Sequence, residues 1–335
     1  MRLIGWVAFL ASCTVPVFAN DTTAQMTTGG LEFVSHGEIA MESEELFISR
    51  EEIRVTYRFR NDGTEDHSIL VAFPMPEIVP DHFSPVAYPT GPEDNLFEFE
   101  TTFNGEPVAV ELHEYAYASG VDRTKLLRQL DLPLYPMGDA ATEKTAALGA
   151  EELEKLLFYG LVMPDEFDMG EGWETRYWPS WTYKATYTWE ATFPAGETVT
   201  VEHRYVPSVG GTVGVALLSE PFEGYDPAEE YRTRYCTDDA FKAAVRKSLR
   251  DPNEPWSAPF YESWISYILT TGGNWAGGAI ENFRLVVDKG SPQNLVSFCG
   301  EGVSKIGPTT FAMVRTDFWP EQELNILILE RQPDM

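Results

Sequence analysis

The stretch from Trp181 to Tyr205 restricts the fold more than any other. From Trp181 onward every second residue is apolar: Trp181, Tyr183, Ala185, Tyr187, Trp189, Ala191 and Phe193. Between them stand Thr182, Lys184, Thr186, Thr188, Glu190 and Thr192. A strand turns successive side chains to opposite faces, so this order predicts one long strand with an aromatic, oily face and a wet face. Pro194-Ala195-Gly196-Glu197 supplies a turn. Val199, Val201, His203 and Tyr205 then resume the alternation, opposite Thr198, Thr200, Glu202 and Arg204. The short loop with its Pro and Gly predicts a hairpin.

The same period recurs elsewhere. Ile53, Val55, Tyr57 and Phe59 alternate with arginines and a threonine, and Ile69 to Phe73 returns after Asn61-Asp62-Gly63. Leu31 to Ile39 reads as a first strand behind a polar leader, Asp21 to Gly30. Asn104-Gly105, between Phe97–Phe103 and Val108–Leu112, is the dipeptide of a tight hairpin. Aromatic residues at 13% agree with sheet. Residues 122–163 differ: Leu153, Leu156 and Leu157 stand at helical spacing before Gly160. Pro164 to Trp181 is an acidic, aromatic bridge. Beyond it Val213–Leu218 reads as a further strand, and Asp238 caps a short helix running to Leu249. Strands follow near Ile265–Leu269, Phe283–Val287, Leu295–Phe298, Thr310–Val314 and Leu324–Leu329. The expected fold is mainly β, an antiparallel β-sandwich-like scaffold with a helical insertion and a short C-terminal helix. Its expected divisions are an N-terminal sandwich half (20–121), the insertion (122–163) and a C-terminal β-rich half (164–335).

Residues 1–19 read as a signal peptide. Arg2 is followed by the apolar run Leu3–Leu10, and Val17-Phe18-Ala19 offers small residues where a signal peptidase reads, so cleavage is expected after Ala19. Leu10-Ala11-Ser12-Cys13 is a rival lipobox that would lipidate Cys13, although the apolar run before it is short. No later segment has the length and apolarity of a membrane-spanning helix. Processing leaves Cys236 and Cys299, and an even pair in an exported chain predicts a disulfide. The formal charge of −29 disfavours nucleic acid and anionic lipid as partners.

Several stretches are familiar in combination: Asn20-Asp21 with Gly29-Gly30-Leu31, Ala72-Phe73-Pro74-Met75-Pro76, Trp178-Pro179-Ser180-Trp181, His203-Arg204-Tyr205-Val206-Pro207-Ser208-Val209-Gly210, and Val296-Ser297-Phe298-Cys299. Together they resemble the exported bacterial family known as domain of unknown function 4424, over nearly the whole mature chain. The resemblance implies a periplasmic setting in a Gram-negative cell and supports pairing Cys236 with Cys299. It brings no catalytic residues.

The residues themselves argue little chemistry. There is no G-x-S-x-G elbow, and Ser208 follows a strand without leading into a helix. His203 falls by parity on the oily face, where a buried, hydrogen-bonded structural role is expected. The five histidines are scattered, so zinc is not expected and no cofactor is implied. Asp165, Glu166, Asp168 and Glu171 are weak calcium candidates, in a spacing that fails as an EF-hand. Among 53 acidic residues no pair is singled out for glycoside hydrolysis. Trp173, Tyr177 and Trp178, beside carboxylates at the mouth of the central strand, suit stacking on a sugar or holding a cation. The expectation is a non-catalytic binding or envelope-associated protein with a glycan or protein partner. A carboxylate-dependent hydrolase of envelope polymers is the alternative.

Overall fold

The computed structural model describes residues 20–332 apart from 28–29, 81, 83–86, 93, 171, 222, 223 and 225. The expected signal peptide, Cys13 and Glu171 lie outside the described residues. A six-stranded sheet runs Gly30–Val34, Thr22–Thr27, His67–Pro74, Thr182–Phe193, Glu111–Ala118, Val121–Asp122. Facing it is an eight-stranded sheet: Ser304–Lys305, Thr310–Phe318, Ile280–Asp288, Ile39–Ile48, Ile53–Asn61, Thr198–Tyr205, Glu100–Phe103, Glu106–Pro107. Gly210–Thr212, Phe260–Tyr267, Leu324–Arg331 and Leu295–Phe298 make a third sheet. Among the described strands the pairings are antiparallel, except that Ile280–Asp288 runs parallel to Ile39–Ile48.

The core lies between the two large sheets and is built by the alternation. Tyr183, Tyr187 and Trp189 are buried, each at most 3% exposed. Rings from the two sheets meet, Phe59 against Phe193 and Phe73 against Tyr205, and Phe99, just before Glu100–Phe103, stacks on Tyr187 at 4.4 Å between centroids. Each fully buried ring contributes about 2–3 kcal/mol of apolar transfer, so this face dominates the cohesion of the sandwich.

The expected hairpin at 194–197 is corrected by these pairings. Thr182–Phe193 bonds to His67–Pro74 and Glu111–Ala118, whereas Thr198–Tyr205 bonds to Ile53–Asn61 and Glu100–Phe103. The turn carries the chain from one sheet to the other. Two strands that each bear an oily face bury both by facing each other across a sandwich, which side-by-side pairing does not achieve. Residues 61–66 make the same crossing between Ile53–Asn61 and His67–Pro74. Asn61 pins both corners: its side-chain amide donates to the carbonyls of Glu65 and Phe193 at 2.9 Å each. The tight hairpin at Asn104-Gly105 is present, with φ of 50° and 82° at its two central residues.

Strands from residues 20–121 and from residues 164–335 share both large sheets. The polar leader is a strand, Thr22–Thr27, and its first residues are sealed in the interior. The insertion holds three helices, Thr124–Gln129, Asp139–Ala146 and Ala150–Phe158. It packs on the start of the central strand, where the Trp181 indole donates to the Leu134 carbonyl at 2.6 Å. The acidic, aromatic bridge is a two-stranded ribbon, Val162–Asp168 with Trp173–Pro179. Val213–Leu218 is not a strand. Glu262 takes the amides of Ala216 and Leu217, at 2.9 and 3.4 Å, and winds Ala216–Leu218 into a 3-10 turn.

The C-terminal sheet carries its own small core: Val215, Leu217, Tyr231, Tyr235, Val245, Leu327 and Leu329. Two helices cover it, Pro227–Tyr235 capped by Asp226 and Asp239–Lys247 capped by Asp238. The first of them is absent from the sequence reading. Cys236, in a left-handed conformation at the end of that helix, is bonded to Cys299 just beyond Leu295–Phe298.

Candidate functional site

The ribbon separates the three aromatic residues proposed to act together. Trp173 and Tyr177 share one face, and Trp178 stands on the other with Arg176, Phe167 and Asp165. Trp178 is occupied within the molecule. His82 stacks on it at 4.7 Å, the Arg176 guanidinium lies 5.0 Å from its centroid, and its indole donates to Asp165 at 3.2 Å. Tyr177 packs against the main core, and only Trp173, 77% exposed, stands in water.

The three described calcium candidates, Asp165, Glu166 and Asp168, divide between the two faces of the ribbon, Glu166 opposite to both others in sequence parity only from its neighbours Asp165 and Phe167. Asp165 and Asp168 are three residues apart on a period-two strand and point to opposite faces. Asp165 is engaged by Trp178, while Asp168 accepts the amides of Gly170 and Gly172 at 2.7 and 3.1 Å. Among the described residues no group of three or more His, Cys, Asp or Glu is placed to hold a metal ion.

The polar chemistry is concentrated inside the sandwich. Asn20, Asp21 and Glu44 are fully buried, and His203 is 3% exposed. His203 shares a 2.9 Å hydrogen bond between Nε2 and Asp21 Oδ1, which is the buried structural role its parity predicts. Asn20 donates to Glu44 at 3.2 Å and accepts from the Tyr57 hydroxyl, which lies 3.0 Å from that of Tyr267. Burial pushes the Glu44 carboxyl up to about 8, its Asn20 hydrogen bond opposing the rise and the charge of Asp21 adding to it. Asp21 is raised by burial too, against the pull of His203. Glu44 escaped the sequence reading, although Glu44, Leu46 and Ile48 share one parity. A bulge between Met41 and Ser43 shifts the register and hides that alternation.

A half-open cleft touches this interior at Tyr205. A cavity of about 300 Å3 lies between the large sheets and the C-terminal sheet, lined by Pro76–Val79, Tyr88, Phe97, Tyr205, Pro207, Ser208, Gly210, Arg234, Trp264 and Ser266. A larger depression, about 810 Å3, beside Glu111, His113, Lys125 and Arg128 lies more open to solvent. Two residues of the lining, Tyr205 and Ser208, carry buried hydroxyls without hydrogen-bond partners. Among the described residues no base bonds Ser208. The wall depends on a glycine: a Cβ at Gly210 would stand 2.0 Å from Trp264 Nε1.

The family described as Domain of unknown function (DUF4424) matches residues 19–327. The chain belongs to the DUF4424 family. No curated protein matches the sequence significantly. Among solved structures, this DUF4424 chain is similar to a candidate nutrient binding protein of Legionella pneumophila. Identity there is 17%, with 92% of this chain and 69% of the other covered, at a TM-score of 0.46. It is also similar to an M1 zinc metallopeptidase of Deinococcus radiodurans at 9% identity and a TM-score of 0.26. There 88% of this chain spans 43% of the enzyme, less than half of its length. Neither overlap carries a functional argument. The cleft of this DUF4424 protein was not legible in its sequence, because Ile78, Tyr205 and Trp264 come from three separate parts of the chain.

Proposed function

We propose that this DUF4424 protein is exported to the periplasm and binds, without catalysis, a small envelope component or the tip of a larger one in the cleft floored by Tyr205. The carrying observation is the cavity itself, lined by Tyr205, a residue 1% exposed whose hydroxyl is buried without a partner. An unpaired buried hydroxyl costs about 1–3 kcal/mol, which a ligand's hydrogen bond offsets. The cavity is at the small end of ligand pockets, and its apolar walls with few polar groups fit a sugar-sized molecule. Arg234 and Glu77 line it with opposite charges, and Glu77 is paired with Lys184. Export is supported by the signal-like first 19 residues. The carboxylates raised by burial at Asp21 and Glu44 are sealed inside the sandwich, out of reach of a polymer, which disfavours the hydrolase alternative.

Native mass spectrometry of the protein recovered from the periplasm is the test. The expected result is a bound mass with wild type that is lost in Tyr205→Phe/Ser208→Ala and kept in Trp178→Ala. A bare protein mass in every sample, or recovery from the cytoplasm alone, would overturn the proposal.

A further inference from the structure

We infer that export processing completes the interior: hydrolysis of the Ala19–Asn20 peptide bond leaves the α-ammonium of Asn20 held inside the sandwich beside the carboxylates of Glu44 and Asp21. Water enters across the broken bond under a signal peptidase. The leader departs with a carboxylate on Ala19, and the mature chain keeps the ammonium. The inference rests on the export reading and goes beyond it.

Domain termini are ordinarily frayed and wet. Here the first described residue is fully buried and locked on both sides of its amide. Asn20 Nδ2 donates to Glu44 Oε2 at 3.2 Å and to the Leu269 carbonyl at 3.4 Å, while Oδ1 accepts from Tyr57 and from the Asp21 amide. The next residues are held as firmly. Trp275 Nε1 donates to the Asp21 carbonyl at 2.7 Å, and Asn274 donates to Thr22 Oγ1 at 2.9 Å. Bond lengths keep the α-nitrogen of an asparagine within roughly 5 Å of its own Nδ2, and Nδ2 is 3.2 Å from Glu44 Oε2, so this nitrogen lies within roughly 8 Å of that oxygen.

Two acceptor atoms there are buried without a partner in good hydrogen-bond geometry, Glu44 Oε1 and Asp21 Oδ2, although the Tyr267 hydroxyl also bears on the Glu44 carboxyl. Around them stand the phenols of Tyr57 and Tyr267 and the imidazole of His203. Among the described residues the ion pair of His203 with Asp21 is the only one that either carboxylate makes. Two buried carboxylates thus face one imidazole, and Glu44 has no cation. While a peptide bond occupies the α-nitrogen, Glu44 stays protonated, in keeping with the rise that burial imposes on it. Cleavage places a cation one residue from Asp21 and within reach of Glu44, so the mature fold gains an interaction that the precursor lacks.

The experiment starts with the mass of the mature protein from the periplasm, which is expected to begin at Asn20. That protein is then treated with an amine-acylating reagent at neutral pH. The α-amine should react at least about tenfold more slowly in the native state than in urea, as protection by burial requires. In parallel, chains beginning at Asn20 or at a retained Ala19 are melted with Glu44 and with Glu44→Gln. Retaining Ala19 should lower the melting temperature by roughly 5 °C or more in the Glu44 background, the size expected for a broken buried pair. It should lower it far less in Glu44→Gln. Equal acylation rates in native and unfolded protein, or an equal effect of Ala19 in both backgrounds, would overturn the inference while leaving export intact. A periplasmic protein with a different first residue would also overturn it, and a protein never exported would overturn both readings.

Discussion

The Cys236–Cys299 bond gives the most sharply calculable perturbation. Its cysteines are 63 positions apart, and replacing both with Ser frees that loop in the unfolded chain. On the loop-entropy account the loss is about 4 kcal/mol at room temperature. Unfolding entropy scales with length, so in a chain of this size that loss lowers the melting temperature by roughly 6 °C. The structure also says where the loss should fall. The bond joins the end of Pro227–Tyr235 to the segment just past Leu295–Phe298, and both pack on the small C-terminal core. Calorimetry of wild type and Cys236→Ser/Cys299→Ser gives the shift. Hydrogen exchange then gives its location: amides of Pro227–Tyr235 and Asp239–Lys247 should lose protection well before those of Ile53–Asn61 or Thr182–Phe193. A double variant melting within about 1 °C of wild type would refute the entropic reasoning. Uniform loss of protection across the large sheets would refute the placement.

Three further outcomes are expected. His203→Gln leaves Asp21 buried without its imidazole, so it should lower stability by about 3 kcal/mol in urea titrations while ligand recovery from the periplasm is unchanged; the reverse ranking would return His203 to a functional role. Gly210→Ala drives a Cβ into the Trp264 indole, which should cost about 1–3 kcal/mol and abolish the bound mass, whereas Gly37→Ala, whose Cβ would meet nothing within 4 Å, should keep that mass. Burial raises the Glu262 carboxyl above its ordinary value of 4.5, against hydrogen bonds from Tyr231, the Leu217 and Ala216 amides and Thr212. The folded state therefore holds a proton that the unfolded chain releases. Stability from this group is fully present below 4.5 and is lost as pH rises through the raised value. Glu262→Gln should flatten that part of the profile in urea melts at acid, neutral and mildly alkaline pH.

Much of this protein was legible in side-chain order because a strand needs only a local rule. Trp181–Tyr205 announced its oily faces, His203 was placed inside by parity, and Asn104-Gly105 named its own turn. Two cysteines behind a signal-like leader announced their pairing. The partner of each strand is a different matter. Nothing within 194–197 says whether the following strand lies beside its predecessor or across from it; that is decided by which arrangement buries both aromatic faces, and the residues that decide it, Phe59, Phe73 and Phe99, are far away in sequence. The same holds for the polar interior. Asp21 reads as the start of a polar leader, and Asn20 as the residue before it, until Trp275, His203, Tyr57 and Glu44 close around them, since burial is a property of the packed whole. It holds again for Trp178, which looked like an exposed platform until His82 covered it. Local order determined the strands, their inward faces and the crosslink. Tertiary packing alone decided which faces meet, which polar groups are sealed in and where a cavity remains, because those depend on distant surfaces competing for the same space.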